Sequence, residues 1–292
     1  MILTDSTAAE VGTSDVKAIL SSTSLFRQFM CYMAITLSQA ISGTVGVIKN
    51  GIGGLTFSGT TNYTGPTQIN GGQIVIVGTS TLNGVISGTG VLTKTGTTTL
   101  TLGGNNTYSG GTVYAPTSTA GSITYSNANA FGTGLFTFQG AGIITTAGGI
   151  TLPNNFQLNL GSTLQFRTTG APTTGVSGNM AGSGGIFKGN NGTLVLSGTL
   201  TYTGSTAIQG GFLRAFKTVG ASTATATFQS GGASLSVAFN VSPPSGTTTN
   251  FQFFQGTTVQ TYIPAVISLS GVPVGTTATY TSATSTLSVI VP

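Results

Sequence analysis

Lys94-Thr-Gly-Thr-Thr-Thr-Leu100-Thr-Leu102-Gly-Gly104-Asn-Asn-Thr-Tyr108-Ser-Gly110-Gly-Thr112 is one of three copies of a single pattern; the others begin at Lys49 and Lys188. Counted from the lysine, apolar residues stand at +6 and +8: Leu55 and Phe57, Leu100 and Leu102, Leu194 and Leu196. Each copy then has Gly at +10, Tyr at +14 (Tyr63, Tyr108, Tyr202), Gly at +16 and Thr at +18. Seven shared positions in three copies exceed chance even in a Gly/Thr-rich chain, and such self-similarity is the mark of a repeat architecture. The lysines are 45 and then 94 residues apart, which reads as a unit of about 45 residues with one degenerate copy between the second and third.

The chemistry of the pattern points to a β-strand followed by a corner. A single Thr or Val between the two apolar residues gives an alternation that turns two side chains inward and one outward. Gly at +10 suits a corner, through positive φ or through close approach of backbones. Thr, Asn and Tyr at equal register predict ladders of like residues, with Asn sharing amide hydrogen bonds and Tyr packing on Tyr. Charges repel in such ladders, in keeping with their scarcity: 4% of residues are charged, against about 25% in an ordinary domain.

Low charge combined with 38% hydrophobic residues and a mean hydropathy of +0.33 is the reverse of a disordered composition. All three acids, Asp5, Glu10 and Asp15, precede Val16, and the chain has no histidine. General acid-base catalysis, glycoside cleavage by paired carboxylates, and zinc or calcium sites draw on those side chains. The expectation is a non-enzyme with no catalytic residue, no cofactor and no metal. The net charge of +5 comes from eight Lys and Arg scattered singly, without the cluster that nucleic-acid binding requires. Cys31 is alone and sits in an apolar run, so it reads as a buried, inert thiol.

Before the repeats, Ser14 followed by Asp15 suits a helix start, and apolar residues from Val16 to Leu37 keep helical spacing. The spacing predicts one or two helices over 14–39, presenting Phe26, Phe29, Met30 and Met33 as assembly contacts to another subunit. The run Phe29–Leu37 is too short to span a bilayer. It also fits a signal-peptide core, with Arg27 before it and Ser38-Gln-Ala40 as the cleavage site, which would make Ile41 the mature start.

From Ile41 onward short β-branched runs are bounded by Gly, Asn and Thr. The predicted architecture is all-β: a β-solenoid over 41–220, a β-rich cap over 221–292 that closes the exposed end, and an arm with a docking helix over 1–40. Continuity of the solenoid through 115–180 stays open. In the last part, Pro243-Pro-Ser-Gly246 and Gly271-Val-Pro-Val-Gly275 are turn signals that predict hairpins.

Copy two with its flank, Gly90–Thr112, reads G-x-L-x-K-x-G-x-x-x-L-x-L-x-G-x-x-x-Y-x-G-x-T with Val91 in place, and resembles the autotransporter-associated β-strand repeat of bacterial surface proteins. The resemblance covers about residues 43–292, including the closing stretch from Phe251, and implies a β-helix-like passenger that is secreted and surface-displayed. Two departures bear on that route: no translocator barrel follows before Pro292, and the acidic N-terminus is a poor leader. Those departures favour a structural subunit of a large assembly, such as a capsid-associated virion component or a surface layer. It would contact homo- or heteromeric partners through the N-terminal helix and the solenoid faces.

The alternative is a secreted adhesin or passenger displaying Thr, Asn and the three repeat tyrosines to glycans or a host surface, with coil-to-coil stacking as the plainer role of those tyrosines. A pectin-cleaving β-helix enzyme lacks its carboxylates. Asn62, Asn105, Asn191 and Asn240 match the N-glycosylation acceptor pattern, as any Asn/Thr-rich chain does by chance.

Overall fold

The computed structural model describes residues 16–19, 26–31, 33–170, 172–232, 234–254, 259–260 and 264–292. The chain forms two compact units, Met1–Thr145 and Thr146–Pro292. The all-β solenoid expectation holds in each.

In the first unit the coils stack their strands into three parallel sheets, the first of which runs only as far as Ile86–Gly88. One sheet stacks Phe26–Cys31, Gly46–Asn50, Thr67–Ile69 and Ile86–Gly88. The second stacks Ile35–Leu37, Gly54–Phe57, Gln73–Ile76, Val91–Thr95, Thr112–Ala115 and Phe136–Phe138. The third stacks Ile41–Gly43, Thr61–Tyr63, Ser80–Leu82, Thr99–Leu102 and Ser122–Tyr125. Register partners such as Ile35 and Leu55, or Leu92 and Thr112, set the coil at about 20 residues. The 45-residue unit is therefore corrected: 45 residues are two coils and one further strand. Lys49 lies in the first sheet and Lys94 in the second, so these two copies occupy different faces of the stack.

Alternation places the core as expected. Leu55, Phe57, Leu100, Leu102, Leu194 and Leu196 are buried, while Thr56, Thr101 and Val195 between them are half-buried. Inward columns such as Leu55, Ile74 and Leu92 run through successive coils.

The second unit repeats the scheme. Thr151–Leu152, Thr173–Val176, Thr193–Leu196 and Phe212–Val219 pair in parallel, as do Thr163–Thr168, Gly185–Lys188, Thr206–Ile208 and Val259–Gln260. The segment 115–180 is thus made of coil strands in both units. From Phe212 the pairing turns antiparallel: Phe212–Val219 with Ser222–Gln229, and that strand with Ser234–Phe239. Val266–Ser270 joins Ser234–Phe239 in parallel, and Thr248–Gln252, Thr286–Ile290 and Thr277–Thr281 make a three-stranded antiparallel sheet. Neither Pro243–Gly246 nor Gly271–Gly275 closes a hairpin; the hairpins of this part turn at Gly220, at Ser230–Gly232 and at Ser282–Thr284. The long aromatic strands choose partners by packing, with Phe228 against Phe253 and Phe254, and Phe239 against Phe251.

The helices expected over 14–39 are not found among the described residues. Val16–Ile19, Phe26–Cys31 and Ile35–Leu37 are strands, and Val16–Ile19 pairs antiparallel with Phe26–Cys31. The physical reason is the edge of the first sheet. Phe26–Met30 pairs residue for residue with Gly46–Asn50, satisfying a row of backbone groups that a helix leaves bare. In that register Phe29 stacks directly on Lys49 and is buried with Cys31 inside the unit. Of the expected assembly contacts, Phe29 is therefore core and Met33 is exposed; the side chains of Phe26 and Met30 lie outside the described set, as do residues 14 and 15.

Candidate functional site

The repeated motif is one complete coil. Its Thr at +18 returns to the strand stacked on the lysine's own: Val47 pairs with Thr67, Leu92 with Thr112, and Ile186 with Thr206. The three lysines point inward, in columns Phe29–Lys49–Ile69, Ile76–Lys94–Tyr114 and Phe166–Lys188–Ile208, and are at most 1% exposed.

A buried ammonium needs all three N–H groups satisfied. Lys49 Nζ donates to the carbonyls of Asn50 (2.9 Å), Gly51 (2.8 Å) and Gly71 (3.0 Å). Lys188 Nζ does the same with Gly189 (2.7 Å), Asn190 (2.7 Å) and Gly210 (3.1 Å). The acceptors at +1 and +2 belong to the lysine's own corner, and the one at +22 to the next coil, so the ammonium clips two coils together. The residue at +2 is left-handed in all three copies, Gly51 at φ 74°, Gly96 at φ 72° and Asn190 at φ 58°. In copy two, Pro116 occupies +22; Lys94 Nζ instead donates to Thr95 O and to Thr98 Oγ1 (3.2 Å), which in turn bonds Val77 O at 2.6 Å. The sequence signal for the clip is the Gly-Gly pair at +22 and +23 in copies one and three.

Burial lowers these ammonium pKa values, to about 8 at Lys94 and Lys188, because the charged form loses its hydration. Lys49 is lowered for the same reason, with the nearby Cys31 acting weakly in the other direction. The Cys31 thiol is itself pushed up by burial.

The tyrosines are buried rather than displayed. Tyr63, Tyr108 and Tyr202 each hydrogen-bond the +18 threonine of their own coil, Thr67 at 2.6 Å, Thr112 at 2.5 Å and Thr206 at 2.7 Å. Buried in this way, they do not form the glycan-facing row of the alternative reading. Their role is to close the coil at a corner, and burial raises the phenol pKa at Tyr108 and Tyr202.

The glycines act through close approach. A Cβ on Gly198 would meet Gly178 O at 2.1 Å, and one on Gly204 would meet the Gly184 carbonyl carbon at 2.3 Å. None of the +10 and +16 glycines has positive φ. Asparagines ladder as expected: Asn70 Nδ2 donates to Asn50 Oδ1, and Asn129 Nδ2 to Asn105 Oδ1, both at 2.8 Å. Among the four acceptor-pattern asparagines, all exposed, Asn105 sits in this ladder and Asn240 Oδ1 accepts the backbone N–H of Thr223 and Val241.

Among the described residues no group of His, Cys, Asp or Glu is placed to hold a metal, and no helix is long and apolar enough to cross a membrane. A family model, passenger-associated-transport-repeat, matches residues 47–76, 92–113 and 187–215, each taking in one complete lysine-to-threonine coil. No curated protein and no solved structure in the comparison matches the chain. These three segments, with their buried lysine, paired apolar residues and tyrosine–threonine closure, are similar to the passenger-associated-transport-repeat, in keeping with an autotransporter passenger repeat.

Proposed function

We propose that this chain is a non-enzymatic passenger segment, displayed at a cell surface or secreted, whose coils serve as a rigid scaffold. The observation that carries this reading is the match of three passenger-associated-transport repeats to three complete coils. The physics suits such a role. In a repeat stack each coil pairs with its immediate neighbours, so the structure can build coil by coil as the chain emerges on the far side of a membrane. The buried cations are satisfied by backbone carbonyls of adjacent coils and need no counter-ion from a distant part of the chain.

The virion expectation rested on the apparent lack of an export route, and neither the repeats nor the fold supports it, so the surface reading replaces it. Cell fractionation and protease shaving of intact producing cells test the proposal. The expected result is chain in the medium or cleaved at the surface. Chain found wholly within the cytoplasm, or packaged in a particle assembled there, overturns it. The absence of catalysis is tested separately: any turnover removed by a point substitution defeats the non-enzymatic part.

A further inference from the structure

The outward face of the sheet in the second unit carries an unused polar row. Register aligns Arg214 with Thr227, Thr227 with Ser236, and Ser236 with Ser268. The next row aligns Phe216, Thr225, Ala238 and Ser270. Arg214, Thr225, Thr227, Ser236, Ser268 and Ser270 line one groove of about 200 Å³. None of these six side chains makes a hydrogen bond or ion pair within the described residues, whereas Ser234, one row away, donates to Gln229 at 2.8 Å. The chain has no carboxylate side chain after Asp15 to neutralise the guanidinium. Along its own strand Arg214 is flanked two residues away by Phe212, 40% exposed, and by the half-exposed Phe216, which strand alternation puts on the same face.

We propose that this face binds an acidic glycan, with Arg214 taking the carboxylate of a sugar residue and the Thr and Ser row taking its hydroxyls. A guanidinium presents a planar fork that fits a carboxylate with two parallel hydrogen bonds. Serine and threonine hydroxyls both donate and accept, as sugar hydroxyls require. The adjacent phenylalanine supplies an apolar surface for the C–H face of a sugar ring. A phosphate or sulfate ion would use the charge alone; the five hydroxyls and the aromatic flank favour a polyol that carries the charge.

The site is independent of where the chain is displayed, so its test and the localisation test fail separately. Purified full-length chain is titrated calorimetrically with trigalacturonate and with sialyllactose, and with maltotriose and lactose as neutral counterparts. The expected result is binding of at least one acidic oligosaccharide, weakened about tenfold or more by Arg214→Gln and also by Arg214→Lys, which keeps the charge but loses the fork. Lys217→Gln, on the opposite side of the same strand by alternation, leaves binding unchanged. Arg214 is exposed, so thermal melts of its variants match the parent. Preference for trigalacturonate assigns the site to a uronic-acid polysaccharide, and preference for sialyllactose to an animal-type glycan. No binding of either acid, equal binding by Arg214→Gln, or equal binding of inorganic sulfate or of an aspartate-rich peptide overturns the proposal.

Discussion

Lys49, Lys94 and Lys188 stand at inward positions where every other column member is apolar or aromatic, and each ammonium is held by corner oxygens. At Lys94 and Lys188 the folded pKa is about 8, against an ordinary 10.5. Between those values the unfolded chain binds more protons than the folded one, so stability rises with pH through that window. From pH 8 to 9, below the range where tyrosine titrates, the two lysines together should add about 1–2 kcal/mol. Thermal melts at fixed salt check this, and Lys94→Met should flatten part of the slope. Above pH 10 the trend reverses, because the buried Tyr108, Tyr114 and Tyr202 stay neutral while their unfolded counterparts ionise. Tyr108→Phe removes the bond to Thr112, which keeps its donation to Phe131 O at 3.1 Å, and should cost about 1 kcal/mol by chemical denaturation. A double-mutant cycle with Thr112→Val that shows no coupling would remove the closure role.

At the scale of the coil, the limit on sequence is set by how closely backbones stack. Gly198→Ala thrusts a methyl group 2.1 Å from Gly178 O and should cost about 1–3 kcal/mol or more, because the contact is backbone on both sides. Gly54→Ala meets Gln73 Cγ at 3.6 Å, an ordinary contact at a residue without positive φ, and should stay within about 0.5 kcal/mol of the parent. Parallel urea titrations separate the two; equal losses would mean that strand propensity, not coil spacing, selects glycine. The inward Leu/Phe pairs were legible at this scale, since alternation is a property of five consecutive residues. The strand at Phe26–Cys31 was not, because its apolar spacing fits a helix equally well. The choice fell to the unpaired edge of Gly46–Asn50, which lies 20 residues along the chain.

For the molecule as a whole, 4% charged residues and no acidic side chain among the described residues leave little for salt to screen. The melting midpoint at neutral pH should move by no more than about 2 °C between low salt and ~0.5 M NaCl, since screening acts on exposed charge pairs. A drop of several degrees would reveal ion pairs that hold the units together internally.

What the sequence by itself determined is the existence of repeats, the inward alternation at +6 and +8 and the asparagine ladder, each readable from residue types within one short window, together with the lack of any Asp or Glu after Asp15. Only the tertiary structure decided that a coil is about 20 residues, that the repeat lysine is buried on carbonyls at +1, +2 and +22, that the tyrosine closes its own coil, and that Arg214 meets Thr227, Ser236 and Ser268 across four strands. The physical reason is register. A strand's own sequence says which side chains alternate, but the atoms above and below them belong to residues one coil away, and that distance follows from how the corners pack.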